Sequence, residues 1–562
     1  MKSDSVGVAV IGAGFGGLGV GIALKRQWGY EDFVIFEKAS EIGGTWRDNT
    51  YPGCGSDVPI HWYSYSTDLK SDWKRSHGSQ AEIQQYLLDV TEKYALRAHC
   101  LFDTAVVSAN WDSSISLWQI VTENFKTGKK TTTTAKILIS AVGPLSEPHI
   151  SSIAGADDFK GETFHSAQWR HDVVLHGKRV AVIGNGCSAT QLVPVISEDP
   201  AVNVVNFCRT PMWLVPGDIP AYSELSKWIF THIPFAMRLH RNKIMFQYDI
   251  RFLLFRGKTN FLTRGLAKSQ TKYIKQRAPK EYHDKIIPTY PPGCKRLVRD
   301  TNYLASLHRP NVSQNWDGIA AVTENGLRLK TGEKVPFDVI IYATGFVTEK
   351  FPVTIKNTHS ETVNEYWERH GGPAAYLGTT LPTFPNFIII EGPNTATGHA
   401  SVVFTEETQI NYALQLMKPV LSGDLASFEP TAAASDAYNS HLQRRLDASV
   451  WTQCASWYRV GAQGRIFSVF PGPVALFWWW LRAPRWGDYT LTGKGKAAWE
   501  RRRKVKSVLW WLGVLGLVGA GLHGVGLRRA GMSLPGEGVC AEAVRRVGGF
   551  VGSASSSLSL RV

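Results

Sequence analysis

The chain has 562 residues, too many for one compact core, so two or three domains are expected. At 44% hydrophobic and 19% charged, with 52 Gly, its composition is that of a globular protein rather than a disordered or fibrous one. The net charge of +15 is concentrated late: nine Lys/Arg against two Asp/Glu between Arg482 and Lys506, and five Arg against two Glu from Ser507 onward. The main body is only mildly basic and has no recognition motif beside a basic patch, which excludes a nucleic-acid binder.

The cysteines (Cys54, Cys100, Cys187, Cys208, Cys294, Cys454, Cys540) are odd in number and scattered, with no Cys-x-x-Cys. Reduced, intracellular thiols are therefore expected, not a disulfide framework, a zinc site or a flavin-dependent disulfide reductase. No secretory signal is expected at the N-terminus, where MKSDS runs directly into a strand.

Val6–Gly12 reads as a buried strand, its glycine turn opens a helix through about Trp28, and Phe33–Glu37 is the next strand. A similar unit recurs at Arg179–Gly184, followed by a helical run and the strand Val202–Cys208. Strand, glycine turn, helix, strand, twice over, predicts an α/β fold with two Rossmann-like dinucleotide-binding domains. The stretch 223–289 reads as a helical insertion. Phe337–Tyr342 and Phe387–Glu391 read as further strands, so the first domain is expected to be discontinuous, with 1–150 and 375–506 in one domain and 151–374 in the other.

The first loop, GAGFGG, places Gly12, Gly14 and Gly17 in the G-x-G-x-x-G pattern. The glycines allow a tight turn, a close approach of the backbone to a pyrophosphate and close helix packing, and the helix N-terminus faces the anion. Glu37, twenty residues after Gly17, is placed to bind ribose hydroxyls. The second loop, GNGCSA, supplies Gly184, Gly186 and Ala189. Twenty residues after Ala189 stands Arg209 rather than an acid, which suits a 2′-phosphate and predicts NADP over NAD.

Between the loops lie GGTWRDNTYPGCGSDVPIHWYSYS and FKGETFHSAQWRHD, the latter with Phe159, Gly161, His165 and Trp169 at offsets 0, 2, 6 and 10. That spacing fits neither a helix face nor a strand alternation, and the segment is expected to be a linker between the units. Local spacing alone leaves Asp57 open between a turn cap and a functional carboxylate.

Together GAGFGG, GGTW…YPG…D…YSYS, FxGxxxHxxxW, GxGxxA, the Lys295–Arg296 pair and ATGF resemble the flavin-dependent Baeyer–Villiger monooxygenases, within the class B flavoprotein monooxygenases. The resemblance spans roughly residues 6–490, and FxGxxxHxxxW is its most specific element. It implies that Gly12, Gly14, Gly17 and Glu37 hold the FAD pyrophosphate and ribose. By the same resemblance Thr45, Trp46, Asp48, Asp57 and Tyr63 line FAD, and the Val106 backbone meets its adenine. Ser188, Arg209, Thr210 and Lys295 match the NADP phosphate site, and Trp457 a lid residue that reaches the nicotinamide ribose. Arg296 matches the catalytic arginine over the flavin, paired with Asp57.

The implied activity is NADPH- and O2-dependent insertion of oxygen next to a ketone carbonyl, through a C4a-peroxyflavin, to give an ester or lactone. A guanidinium, charged at any working pH, suits stabilisation of the oxyanions on that path. The fingerprint departs from the family pattern in reading Trp169-Arg170 rather than Trp-Pro or Trp-Asp, and the chain around Asp57 reads GCGSD. The alternative is an N- or S-oxygenating flavin monooxygenase, which requires no arginine over the flavin; a non-enzymatic scaffold is the third reading. His165 is read as a hinge residue rather than a base.

The 20 residues 508–527 carry no formal charge and lie between RRRKVK and Arg528-Arg529, the length of a membrane span. Six glycines lower their hydrophobicity. The expected setting is an intracellular enzyme with cytosolic catalytic domains, a candidate C-terminal membrane segment and a ketone of secondary metabolism as substrate.

Overall fold

The structure, a computed structural model, describes residues 5–506 and Val508. They divide into two compact units at the Gly493–Lys494 boundary, and the second is helical over 496–506. The first sheet is built on β1 (Ser5–Ile11), which pairs in parallel with β2 (Phe33–Phe36) and with β6 (Lys130–Ser140). Val8, Ala9 and Val10 are fully buried, as expected of a strand covered on both faces. β3 (Cys100–Leu101) extends one side, and the antiparallel β4 (Thr104–Asp112) and β5 (Leu117–Asn124) extend the other.

The helix α1 (Phe15–Trp28) follows β1 directly, with no acidic residue in its first turn, and ends on Gly29 at φ 60°. That left-handed residue returns its N–H to the carbonyls of Leu24 and Lys25. α2 (Thr45–Asp48) and α3 (Gln80–Lys93) come next, the latter closed by a Ser79–Glu82 capping box.

The second sheet is wholly parallel, with Val312–Asn315, β9 (Asn203–Phe207), β8 (Arg179–Ile183), Val339–Tyr342 and β7 (Glu162–His165) in spatial order. α4 (Cys187–Ile196) follows β8 as α1 follows β1. The insertion contains α5 (Glu224–His232), α6 (Ala236–Asp249) and α7 (Phe261–Arg277).

Three expectations change. The fingerprint segment is not a linker throughout: Glu162–His165 is the edge strand of the second sheet, His165 opposite Tyr342. Its period-2 signal is too short to register over four residues. The chain re-enters the first sheet before position 375, because Thr354–Lys356 already pairs with β4 and Phe387–Ile389 then pairs with β6. At the far end the first compact unit ends at Gly493. The thiol expectation also fails at two positions, since Cys294 and Cys454 form a disulfide with Cα atoms 6.0 Å apart. A partner 160 residues away leaves no trace in local spacing. Among the described residues no helix is long and apolar enough to cross a membrane, and the candidate span 508–527 lies, apart from Val508, outside them.

Candidate active site

In the first loop the glycines are required by contact. Gly12 has φ 101°, and a Cβ there would sit 2.6 Å from the Ala141 carbonyl oxygen. A Cβ on Gly17 would lie 1.8 Å from the Gly12 carbonyl oxygen, so α1 packs against the turn at a distance only glycine permits. Gly14 faces Gly44, the N-cap of α2, and this leaves backbone on both sides of the loop.

Glu37, at the end of β2, accepts hydrogen bonds from the Ala13 amide (2.7 Å) and the Ala39 amide (2.8 Å). The carboxylate thus ties the glycine turn to the strand end. Burial raises its pKa, and the two amides oppose that rise. The loop from α2 to Tyr63 folds over the same end of the sheet: the Trp46 indole donates to the Tyr63 hydroxyl at 3.3 Å, and Phe15 meets the Tyr63 ring edge-on at 5.5 Å. Thr45 and Asp48 lie on α2, with Asp48 paired to Arg47 at 2.7 Å. Val106 is buried on β4, beside a register shift in its pairing with β5.

The second loop repeats the geometry more openly. A Cβ on Gly184 would approach the Ala343 carbonyl oxygen to 2.4 Å, whereas one on Gly186 would meet nothing within 4 Å. Ala189 is fully buried in the core under the second sheet. Beside this loop the Lys295 ammonium donates to the Thr210 hydroxyl at 3.1 Å, and the Asn185 amide donates to the Thr210 carbonyl at 2.9 Å. Burial and then the Arg209 charge lower the Lys295 pKa. Two cations held together suit a phosphate dianion. Ser188 lies in the first turn of α4.

Arg296 and Asp57, 239 positions apart in sequence, meet between the two loops: the guanidinium donates from Nε (2.8 Å) and Nη2 (2.5 Å) to Asp57 Oδ2. Burial alone would raise the Asp57 pKa, but the charge and hydrogen bond of Arg296 leave it below the ordinary carboxylate range. The Asp57 charge in turn raises the Arg296 pKa, so the arginine stays cationic. Neither side chain is sealed, with exposures of 30% for Arg296 and 22% for Asp57, so the pair faces a space that a ligand can enter.

Sequence reasoning did not find two further neighbours of the arginine. Cys187, in the second loop, has its pKa pushed up to about 11 by burial, with Arg296 opposing. Tyr458 is pushed up to about 12 by burial, again against Arg296. Trp457, 44% exposed, packs on Tyr458 at 4.6 Å. The Cys294–Cys454 bond ties the segment carrying Lys295 and Arg296 to the one carrying Trp457 and Tyr458.

A second group also escaped sequence reasoning. Burial raises the Glu391 pKa to about 8 and lifts that of Glu406 well above the ordinary carboxyl value, with the Glu391 and Glu407 charges as added causes. A Cβ on Gly16 would lie 3.4 Å from Glu406 Oε1, which places the Glu406 carboxyl against the start of α1. The signal available was an acid at the end of the apolar run FIII, where φ is 60°.

The fingerprint residues pack mainly into the second sheet, although Trp169 shares a cleft with Asp48. Phe159 packs on one core cluster and Trp169 on another, meeting Phe164 edge-on at 5.1 Å. A Cβ on Gly161 would strike the Asp338 carbonyl at 2.5 Å. His165 is buried, its Nδ1 accepting from the Ala167 amide at 3.1 Å, and burial lowers its pKa to about 4. A neutral, backbone-bonded imidazole is a structural group. Trp169 also lines a cleft of about 740 Å³ with Lys38, Arg47 and Phe346.

A model of flavin-binding monooxygenase-like proteins matches residues 5–219. A Baeyer–Villiger monooxygenase of Pseudomonas aeruginosa is 38% identical over 85% of this chain and 89% of its own length. One from Streptomyces coelicolor is 36% identical over 84% and 90%. Among solved structures, OTEMO in complex with FAD and NADP superposes with a TM-score of 0.76 at 25% identity, covering 87% of this chain and 99% of that one.

Proposed function

The chain belongs to the Baeyer–Villiger monooxygenases, and from that premise we propose that Arg296, oriented by Asp57, stabilises the negative charge that develops as oxygen is inserted beside a ketone carbonyl. The enzyme uses FAD, NADPH and O2 on a small molecule. Bound FAD, reduced by NADPH, supplies the activated oxygen for conversion of the ketone to an ester or lactone.

The residues fit both cofactors. The Gly12–Gly17 turn, bare of side chains where it faces Gly44, takes the FAD pyrophosphate, with Glu37 beside the ribose and Thr45, Trp46, Asp48, Tyr63 and the Val106 backbone along the rest. Gly184, Gly186 and Ser188 take the NADP pyrophosphate, and Arg209, Thr210 and Lys295 its 2′-phosphate. The first sheet is thus the FAD half and the second the NADP half.

The Arg296–Asp57 pair carries the mechanistic reading. Asp57 fixes the direction of the guanidinium and takes up no proton, since its pKa is depressed. Arg296 keeps one Nη free of the hydrogen bonds to Asp57 and presents a permanent cation at the junction of the two cofactor loops. Trp457, half exposed on its tethered segment, closes the nicotinamide side and limits water entry. His165, neutral and bonded to backbone, couples the sheet edge to the cleft and moves no proton.

The test is product analysis across linear, cyclic and aryl ketones, with a thioether in parallel. The proposal expects NADPH oxidation matched by ester or lactone. Sulfoxide from the thioether with no product from any ketone would instead establish the heteroatom-oxygenating alternative.

A further inference from the structure

Nine large apolar side chains in the helical insertion between Leu225 and Phe261 are exposed, whereas the sheets around them are conventionally packed. α5 buries no residue at all, although Leu225 (67% exposed) and Trp228 (52%) lie on one of its faces. α6 has apolar residues on two opposite sides. Its inner side is docked: Ile244 is in a core cluster, and Arg241 donates to the carbonyls of His61 and Ser64 at 2.7 and 2.8 Å. On the outer side Leu239 (66%) and Phe246 (70%) lie within about 20° of each other at 3.6 residues per turn, and Ile250 (54%), the C-cap, follows one turn after Phe246. Phe235 (75%), the N-cap, stands one turn before Leu239. An outward apolar stripe of this kind is not accounted for by the fold.

The surrounding charge is one-sided. Residues 223–264 contain eight Lys/Arg and two Asp/Glu. Both acids are engaged, Glu224 by Lys227 at 2.7 Å and Asp249 by the backbone amides of Val474 and Ala475. The helix that starts at those amides, Val474–Leu481, exposes Trp478 and Trp479, with Arg482 over the Trp479 ring. Arg238 and Lys243 are exposed on α6, and Arg251, after it, lies over the Tyr248 ring at 3.8 Å. Aromatic and aliphatic side chains facing outward, with long cations beside them and no free carboxylate, match the layering of a bilayer surface: acyl chains below, anionic headgroups at the rim.

We propose that the outer face of α5 and α6 is a membrane-docking surface that lies in the headgroup region of an anionic bilayer. This face holds the catalytic unit against the membrane surface, and α6 carries the docking face on one side and the 57–66 loop on the other.

The experiment is vesicle flotation with the full-length, FAD-containing chain and phosphatidylcholine vesicles with or without phosphatidylglycerol. To separate the patch from the C-terminal apolar run, all proteins also carry Leu512→Asp, Leu515→Asp and Val518→Asp. This parent is expected to float with anionic vesicles. Adding Leu239→Ser, Phe246→Ser and Ile250→Ser should cut partitioning at least about thirtyfold, as expected for three apolar side chains returned to water. Lys243→Glu with Arg251→Glu should remove most of the phosphatidylglycerol dependence. Flavin content equal to the parent's certifies the fold of each variant. A parent that fails to float, or a serine variant that floats as well as the parent, overturns the proposal. So does a parent that stays off vesicles and sediments as a dimer which the serine substitutions dissociate, since the face then meets a second copy.

Discussion

Breaking the Cys294–Cys454 bond offers a quantitative test of how the active-site segments are held. The bond spans a sequence separation of 160. Loop-closure entropy for that length predicts a loss of about 5 kcal/mol of unfolding free energy at 25 °C when the link is removed. Its position adds a local effect, because one cysteine precedes Lys295 and Arg296 and the other lies three residues before Trp457. Cys454→Ser should therefore unfold at clearly lower urea than the parent, and its KM for NADPH should rise more than its kcat falls. Reductant should reproduce both effects in the parent and change neither in the variant. The bond itself is checked by alkylation and peptide mass analysis, with Cys294 and Cys454 labelled only after reduction. Unchanged urea midpoints, or both thiols labelled without reductant in the native enzyme, would refute the reasoning.

Other expectations follow from the same geometry. Removing one phosphate ligand with Arg209→Ala or Lys295→Ala should raise KM for NADPH about ten- to a hundredfold and leave KM for NADH nearly unchanged, as steady-state kinetics with both nucleotides will show. Gly17→Ala puts a Cβ 1.8 Å from the Gly12 carbonyl oxygen, so the variant should purify with little or no flavin absorbance. Burial pushes the Glu391 pKa up to about 8, against an ordinary 4.5. Its raised pKa favours the folded state below pH 4.5, and this contribution fades as pH rises through that window. Thermal midpoints of Glu391→Gln should therefore gain on the parent between pH 5 and about 8; a constant difference across that range would contradict the assignment.

The parts of the fold legible in the sequence were those written locally. β1, its glycine turn and α1 are contiguous, and so are β8, its turn and α4, so strand burial and glycine spacing identify both units. Thr354–Lys356 was not legible, because three residues carry no period and the strand exists only through its pairing with β4. Asp57 and Arg296 had to be joined by family resemblance, since nothing local connects positions 239 apart. Glu406 next to Glu407 on a helix reads as a solvated face, and only packing against Gly16 shows otherwise. The outward stripe of α6 was hidden for the opposite reason. Apolar residues on both sides of a helix look like burial, until the structure shows that only the side bearing Ile244 is covered.

The most direct test of the central claim is Arg296→Ala, followed through two steps of one turnover. The variant is expected to bind FAD, and NADPH should still bleach its flavin absorbance, because the Gly12 turn and the Arg209–Lys295 cluster are intact. Ester or lactone formation should fall by about two to three decades, the usual consequence of losing one preorganised charge-stabilising donor. Ester formed at near the parent rate by a fully reducible Arg296→Ala enzyme would contradict the role assigned to the arginine.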